Sequence, residues 1–501
     1  MSLSSLFFIF FFLPIFLLLN FFIEKKRKNI FYVIISFIFY FAGAGSYLTL
    51  LIISIIVNYI LGLLIDIGLK KKKKIVSMIF FFLGLIYNIG LLFFFKYIGF
   101  FLNSVNQIFN LSSNELLYKG PESFPVGISF FTFIGLSYLI DVYRESSKAN
   151  RNIFEFSLYM SFFPKIMMGP ITLYNKFSSQ LSNNAERKTD YYKGIKRFII
   201  GLGKKVLIAD SVSKVAIPIF KISIAEQTFA LAWIGAISYT LQIYFDFSGY
   251  SDMVIGLGNM LGFDIPENFN YPYVSKSIKD FWKRWHMTLA AWLQAYLFLP
   301  IAYLVMRKIK KDRFFFIKTE NFAYYTGAFF TMLICGLWHG ANWTFIVWGI
   351  YYGIILIVEH GLIGKFLKKK TKKTFRITYS LFLIIIGWVI FRSSSLSYAL
   401  GYISAMFGFG TGKGIVFYPE LYLNNESLFF IFVGALGSLP LIPNLIKRYN
   451  KFSLSYKQGI YQALFNTIYT YSEAVLLIIL FILSTITIVT STYNPFIYAK
   501  F

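Results

Sequence analysis

The sequence is poor in the residue types that build disulfides and metal centres. Its 501 residues include a single cysteine, Cys335, and only three histidines. One cysteine excludes an internal disulfide and a cysteine-based metal cage. The histidines lack HxxxH or HxxE spacing, and membrane di-iron enzymes need many more histidine ligands. We therefore expect no metal site and no resident cofactor.

Charged residues are scarce as well. They make up 14% of the chain, whereas a soluble domain carries roughly a quarter. Hydrophobic residues make up 57%, and long uncharged runs recur from one end to the other. Runs of about 17–25 apolar residues cross a bilayer as helices, because a helix satisfies its own backbone groups in hydrocarbon. The composition therefore excludes a soluble protein and predicts an all-α polytopic membrane protein surrounded by lipid.

Acidic residues are less than half as frequent as basic ones, 22 against 49, which gives a net charge of +27. Such a charge could indicate nucleic acid binding. The Lys and Arg residues lie in short loops between apolar runs, however, as expected for cytoplasmic loops that obey the positive-inside rule. We expect no nucleic acid partner.

The basic clusters also predict the orientation of the chain. Residues 5–23 are uncharged and precede the basic cluster at 25–28, with neither the leading charges nor the cleavage site of a signal peptide. Further basic clusters at 70–74 and 144–151 fall on the same side, while the polar loop 103–123 falls on the other. This pattern predicts a multi-pass protein of the cell membrane with an extracytoplasmic N-terminus.

We predict one membrane domain over residues 1–501, comprising N-terminal spans (1–120), a core (121–393) and C-terminal spans (394–501). The apolar runs predict about 11–13 membrane helices. Pro, Gly and charges interrupt several runs, as in MSFFPKIMMGPITLYNKF (160–177). Non-helical backbone at membrane depth requires surrounding protein or a water-filled cavity, so we also expect re-entrant segments.

Ionisable residues within apolar runs are candidates for function. His339 lies in CGLWHGANWTF (335–345). An ionisable residue at membrane depth usually lines a pathway or a site, although a bonded core histidine is equally compatible with the pattern. The flanking Gly336 and Gly340 would let another backbone or a bound chain approach the imidazole. Trp338 and Trp343 would form rigid walls.

His286 lies in SIKDFWKRWHMTLAAWL (277–293). An interfacial aromatic and basic belt accounts for Trp282, Arg284 and Trp285, but it leaves His286 unexplained because a long apolar run follows. The third histidine, His360, is expected to be structural, near the interface at a helix end.

Three further residues allow more than one interpretation each. Asp246 and Asp252 lie six positions apart on different helix faces, so each could form a structural ion pair, neutralise Arg284 or orient an imidazole. Cys335 precedes His339 by four and would share its helix face. A small core residue is favoured there over a thiol nucleophile.

Buried histidines without a metal or nucleotide motif are compatible with acyl transfer. A neutral imidazole can take a proton from a hydroxyl as it attacks an acyl thioester. Its ordinary pKa, near 6.5, suits that role at neutral pH.

Two long motifs resemble the membrane-bound O-acyltransferase (MBOAT) family, and within it the bacterial branch that acetylates alginate. They are YFDFSGYSDMVIGLGNMLGFDIPENFNYPYVSKSIKDFWKRWHMTLAAWL (244–293) and CGLWHGANWTFIVWG (335–349). FPKIMMGPI (163–171), FRSSS (391–395) and YNPFIYAKF (493–501) add to the resemblance.

The resemblance implies a fold of tilted helices around a central tunnel, with His339 as the catalytic histidine and His286 as the second signature position. That position is Asn or Asp in many eukaryotic members. The donor would be acetyl-CoA or an acyl-carrier thioester from the cytosol. The expected tunnel and substrate-binding residues are Trp338, Trp343, Asn342, Trp282, Arg284, Trp285 and Asp246. At Gln294 and Ala295 the family usually has Arg and Asp.

Several functions remain open on the sequence. The first is O-acetylation of a cell-surface polysaccharide or of peptidoglycan, with an extracytoplasmic SGNH-type transferase as partner. The second is D-alanyl transfer to teichoic acid. A transporter or channel, and a scaffold that only anchors a polysaccharide-modifying complex, belong to different classes. Loss of activity on changing His339 separates an enzyme from a scaffold.

Overall fold

The computed structural model describes residues 1–109, 125–182, 188–364, 366–367, 371–455, 460–490 and 496. Most of the polar loop 103–123 and of the ending 493–501 lies outside these residues. The described part is almost entirely helical, apart from one two-residue antiparallel hairpin, β1 (Arg313–Phe314) and β2 (Ile317–Lys318). This confirms the predicted all-α class.

The α-helices differ widely in length. In chain order they are α1 (Leu13–Phe22), α2 (Lys28–Ala44), α3 (Tyr47–Lys70), α4 (Lys74–Leu92), α5 (Ile98–Phe109), α6 (Ile128–Tyr143), α7 (Ile153–Ser161), α8 (Tyr174–Ser182), α9 (Tyr191–Gly203), α10 (Asp210–Ile219), α11 (Phe229–Leu261), α12 (Ile278–Trp282), α13 (Met287–Leu293), α14 (Leu299–Lys308), α15 (Thr319–His339), α16 (Trp343–Val358), α17 (Lys373–Arg392), α18 (Leu396–Met406), α19 (Asn425–Gly437), α20 (Leu441–Ser455) and α21 (Ile460–Thr490).

Wider π-helical turns join several of these helices without interrupting them. They are Phe8–Phe12, Phe93–Tyr97, Lys204–Ala209, Gln294–Phe298 and Glu359–Ile363. Short 3₁₀ turns occur at Lys25–Arg27, Ile224–Glu226, Pro272–Val274 and Pro419–Leu421. Such π-turns are rare and are frequently found at functional sites.

Six helical segments in the described residues are long and apolar enough to cross a membrane. They are Tyr47–Lys70, Lys74–Asn106, Met287–Lys308, Trp343–Gly361, Lys373–Arg392 and Thr467–Thr490. A seventh is counted if α19 and the first part of α20, bent by 52°, form one span. The predicted 11–13 spans would also require apolar helices that are shorter, such as Phe8–Phe22 and Ile128–Tyr143, or more polar, such as α11. The chain is a multi-pass membrane protein.

Helix α11 lies at the centre of the molecule and is buried along most of its length. It packs closely against α9, because Gly201 and Gly249 lie where the two backbones meet. A Cβ at Gly249 would lie 2.7 Å from the carbonyl oxygen of Gly201. Small residues at a crossing allow membrane helices to approach this closely.

The interrupted run 160–177 forms a buried non-helical segment. Helix α7 ends at Ser161, and the chain continues through turns and extended backbone until α8 begins at Tyr174. Within it the Nζ of Lys165 donates to the Oγ1 of Thr172 at 2.6 Å. The Lys165 side chain lies against the rings of Tyr159 and Phe177. Surrounding protein thus covers the irregular backbone, as predicted for a re-entrant segment.

Candidate active site

His339 is the last residue of α15. The helix ends there because Gly340 is extended, and α16 begins three residues later with Asn342 as its N-cap. The side-chain oxygen of Asn342 accepts from the backbone N–H of Thr344 at 3.0 Å. The two helices also cross closely, which holds the turn between α15 and α16 in place. A Cβ at Gly336 would lie 2.3 Å from the carbonyl oxygen of Phe345, so the backbone that approaches here is that of α16.

Aromatic rings enclose the His339 imidazole, which is only 4% exposed. Its ring centre lies 4.8 Å from that of Trp338, 5.0 Å from that of Trp348 and 5.1 Å from that of Phe391. All three contacts are edge-on. Aromatic walls of this kind exclude water and restrict the imidazole to few orientations.

His286 occupies a sharp turn between α12 and α13. Its backbone is left-handed, with φ of 43° and ψ of 53°, and it directly precedes the first residue of α13. The side chain is 1% exposed and packs edge-on against Phe247, with 4.6 Å between ring centres. The turn thus places a second imidazole in the protein interior, at a cavity that α15, the helix of His339, also lines.

Asn268 holds the His286 ring, a role that no sequence motif indicates. Its Oδ1 lies 3.0 Å from His286 Nδ1 and also accepts from the backbone N–H of Thr288 at 3.2 Å and from the Thr288 hydroxyl at 2.9 Å. Its Nδ2 donates to the Oγ of Ser251 at 3.2 Å. The fully buried amide is therefore fixed at both ends.

This network determines which nitrogen of His286 carries the proton. Because a backbone N–H donates to Asn268 Oδ1, that atom is an acceptor, and Nδ1 of His286 must donate to it. In the neutral imidazole Nε2 then has the free lone pair. Among the described residues this Nε2 has no hydrogen-bond partner. His286 can therefore accept a proton or a hydrogen bond from a bound molecule.

His286 lines a cavity of about 570 Å³ between α12–α14 and α15. Lys279, Lys283 and Tyr324 lie on its wall, and the remaining lining is mostly apolar. The complete lining is Lys279, Trp282, Lys283, His286, Met287, Leu289, Ala290, Ala291, Leu293, Gln294, Phe298, Tyr324, Ala328, Thr331, Met332 and Leu356. The cavity therefore offers two amines and an imidazole within apolar walls.

A smaller neighbouring cavity of about 290 Å³ shares Lys279, Tyr324 and Leu356 with the first. It adds the basic side chains of Lys276 and Arg376. His360 also lines it, stacked on Tyr324 with 3.9 Å between ring centres, and its Nε2 lies 3.2 Å from Asn321 Oδ1. The smaller cavity is therefore lined by three basic side chains and the carboxyl group of Glu359, and it adjoins the larger, more apolar cavity.

Of the predicted tunnel residues near His286, Trp282 lines the larger cavity. Trp285 instead packs among aromatic rings, with its centre 4.7 Å from that of Trp388. The Nε of Arg284 forms an ion pair with Asp280 at 3.0 Å, and its Nη1 donates to the carbonyl oxygen of Asn270. Arg284 thus stabilises the turn that carries His286.

Asp246 and Asp252 form separate ion pairs on α11. The Nζ of Lys205 lies 2.8 Å from Asp246 Oδ1 and 2.7 Å from Asp210 Oδ1. Arg197 and Lys204 both reach Asp252, at 2.7 Å. The structure therefore joins Asp246 to the α9–α10 side of the protein.

The remaining predicted residues surround the end of α15. Trp338 stacks on Phe133, with ring centres 5.1 Å apart. Trp343 is half exposed and contacts Phe100, and Asn342 caps α16 while its Nδ2 donates to the carbonyl oxygen of Ser394. Cys335 is buried one turn before His339. In the described part of the chain no three His, Cys, Asp or Glu residues lie together as a metal site.

Comparison with known proteins places this geometry in context. Residues 144–401 match the model of the membrane-bound O-acyltransferase family. The chain is similar to the probable alginate O-acetylase of Azotobacter vinelandii, with 38% identity covering 75% of this chain and 72% of the relative. It is 34% identical to the peptidoglycan O-acetyltransferase of Helicobacter pylori, covering 74% and 72%. The teichoic acid D-alanyltransferase of Streptococcus thermophilus is 30% identical, covering 49% and 58%.

Proposed function

The chain belongs to the membrane-bound O-acyltransferase family, and from this premise we propose that it O-acetylates a polysaccharide or peptidoglycan at the cell surface. Two relatives that match about three quarters of the chain are named as O-acetylating enzymes of alginate and of peptidoglycan. Alginate, peptidoglycan and similar polymers offer hydroxyl groups as acceptors.

The observation that carries the proposal is a cavity with basic and apolar walls, lined by the buried His286 and by α15, the helix that ends at the buried His339. In His286 the acceptor nitrogen is Nε2, because Nδ1 is bonded to Asn268. A buried imidazole with an available lone pair is suited to proton transfer during attack by a hydroxyl.

The donor in this proposal is an acyl thioester, either acetyl-CoA or a carrier-bound acyl group. Both present an uncharged thioester arm that continues into a phosphate. The apolar wall along Ala328 and Met332 suits the arm, and Lys279 and Lys283 suit the phosphate. Gln294, where the family usually has Arg, also lines this cavity and would shape donor selection.

In the reaction, the acceptor hydroxyl oxygen bonds to the thioester carbonyl carbon while the carbon–sulfur bond breaks. His339 takes the hydroxyl proton and returns it to the leaving thiolate, so the products are the ester and the free thiol. A transient acyl group on His339, later passed to the hydroxyl, gives the same products. Because Nδ1 of neutral His286 is committed to Asn268, its Nε2 would orient a hydroxyl by accepting its hydrogen bond.

We place the protein in the cell membrane with the basic loops in the cytoplasm and the N-terminus outside. The cavity lined by His286, in which the donor would bind, would then face the cytosol, where thioesters are made. The basic segments at 306–313 and 368–373 would lie on the same side. An SGNH-type transferase would receive the acyl group on the other face and pass it to the polymer.

D-alanyl transfer to teichoic acid is the second candidate. It is supported by 30% identity to a teichoic acid D-alanyltransferase over about half the chain. The acetylating relatives match more of the chain at higher identity, so acetylation is preferred.

The test measures ester-linked acetate released by mild base from cell-wall and exopolysaccharide fractions. A deletion strain is complemented with wild type or with His339→Ala at equal membrane levels. We expect acetate to return only with wild type, in the fraction that holds the acceptor. Release of D-alanine in place of acetate would establish the second candidate, and no change in either ester would refute both.

A further inference from the structure

Two side chains from the N-terminal helices reach the end of the helix that carries His339. The Nζ of Lys96 donates to the carbonyl oxygen of Trp338 at 2.6 Å and to that of His339 at 3.1 Å. The hydroxyl of Tyr97 donates to the carbonyl oxygen of Leu337 at 2.8 Å. Adjacent residues of one segment thus bind three consecutive carbonyls of another.

These carbonyls need partners because α15 ends inside the protein. The last four carbonyls of a helix accept no hydrogen bond from the same helix. Burying a carbonyl without a hydrogen-bond donor costs free energy. The helix does not continue past His339, because the backbone of Gly340 is extended. The two donors therefore fix the main chain of the final turn at the point where the imidazole leaves it.

The π-helical turn Phe93–Tyr97 contains both donors. It lies within the apolar helical run Lys74–Asn106, where a lysine is costly unless it has a specific task. The extra residue of a π-turn changes the direction of the side chains that follow. Here both neighbouring side chains reach α15.

We propose that Lys96 and Tyr97 are positioning residues for His339, holding its backbone so that the imidazole meets the reacting hydroxyl. The inference rests on the proposed function and extends the site beyond residues 144–401, which match the family model. A displacement of about 1 Å at a reacting group can lower the rate by about 10²-fold.

The test uses three substitutions and a matched control in the full chain. Lys96→Met removes the donors and keeps an unbranched side chain, Lys96→Arg restores donors, and Tyr97→Phe removes one hydroxyl. Tyr87→Phe is the control, because the Tyr87 hydroxyl lies on the same helical run but bonds to Ser54 at 2.9 Å.

The first measurement is the rate of base-releasable acetate formation in the complemented strain, per amount of protein in the membrane. We expect a loss of about 10- to 100-fold for Lys96→Met, partial recovery for Lys96→Arg and a smaller loss for Tyr97→Phe. Tyr87→Phe should match wild type. If Lys96→Met does not reach the membrane, the rate of Tyr97→Phe is compared with the rates of wild type and Tyr87→Phe instead.

The second measurement does not depend on activity. The chain has only three histidines, so protein labelled with ¹⁵N-histidine in phosphatidylethanolamine–phosphatidylglycerol nanodiscs gives imidazole signals for His286, His339 and His360. The His339 signal is identified by its loss in His339→Ala. We expect Lys96→Met and Tyr97→Phe to shift it while leaving the His360 signal in place.

An unchanged His339 signal together with wild-type acetate formation in both variants would overturn the proposal. If wild type itself restores no acetate, the proposed function fails, while the shift of the His339 signal still decides whether these residues position it.

Discussion

Two buried polar regions of this protein differ in how completely their groups are bonded. Between α9–α10 and α11, Lys205 lies between Asp246 and Asp210, and each charge meets an opposite charge. Between α12–α13 and α15, His286 is bonded on one nitrogen, while the other has no partner among the described residues. Lys205, Asp246, His286 and Asn268 are all almost fully buried, whereas Asp210 is partly exposed.

Under the proposed function, this difference separates a structural polar cluster from a reactive one. A buried charge whose partners are all present holds helices together, and removing one partner leaves an expensive unpaired charge. A buried imidazole with one free lone pair has an unused capacity for a proton or a hydrogen bond. Substitutions in the first region should therefore lower stability, and those in the second should lower the rate.

The largest effect on rate is expected for His339→Ala. Loss of a general base lowers the rate by about 10²- to 10⁴-fold, because the attacking hydroxyl keeps its proton. The rate of ester-linked acetate formation checks this, with the thermal unfolding midpoint of the purified protein as the control. Turnover near the wild-type level would remove His339 from the proposed mechanism.

Lys205→Met should produce the opposite pattern. It removes the shared partner of the buried Asp246 and the partly exposed Asp210, which costs about 3–5 kcal/mol of stability. Denaturation in detergent, compared with wild type, measures the loss. Activity per folded molecule should stay close to wild type, and a selective loss of rate would show that the cluster acts in the reaction.

Asn268→Leu should lower the rate by about 10- to 100-fold, since the His286 ring loses the acceptor that fixes its orientation and its proton. The matched control is Asn88→Leu, another buried amide, which bonds Asn58 at 2.8 Å between α3 and α4. The rate of acetate formation per amount of folded protein distinguishes the two variants. Equal rates in both variants would mean that Asn268 has only a structural role.

Cys335→Ala should have the smallest effect. Cys335 is buried on the face of α15 that also carries His339, but it behaves there as a small apolar residue. Acetate formation should remain near wild type. A loss as deep as that of His339→Ala would instead support a thiol nucleophile.

The sequence was sufficient to predict the fold class and the family. His339 and His286 stand out because ionisable residues are rare in apolar runs, and their motifs carry the family resemblance. The same approach predicts Gly336 as a point of close backbone approach, which the crossing with α16 confirms.

The partners of these histidines could not be predicted in this way. Asn268 lies 18 residues before His286 and Lys96 lies 243 before His339, so only the folded chain brings each pair together. Asp246 was compatible with Arg284 on sequence, but packing of α11 against the π-turn Lys204–Ala209 gives it Lys205. Local patterns do not determine such distant contacts.

The left-handed backbone of His286 has a consequence for the evolution of the site. At a φ of 43° a branched apolar side chain is strained, whereas, apart from glycine, Asn, Asp and His are the residues most often found there. Each of these three has a side chain that can exchange hydrogen bonds. The backbone conformation of this turn therefore restricts which residues are tolerated at position 286, whatever their role in a reaction. Most of the tolerated residues have a side chain that can donate or accept a hydrogen bond.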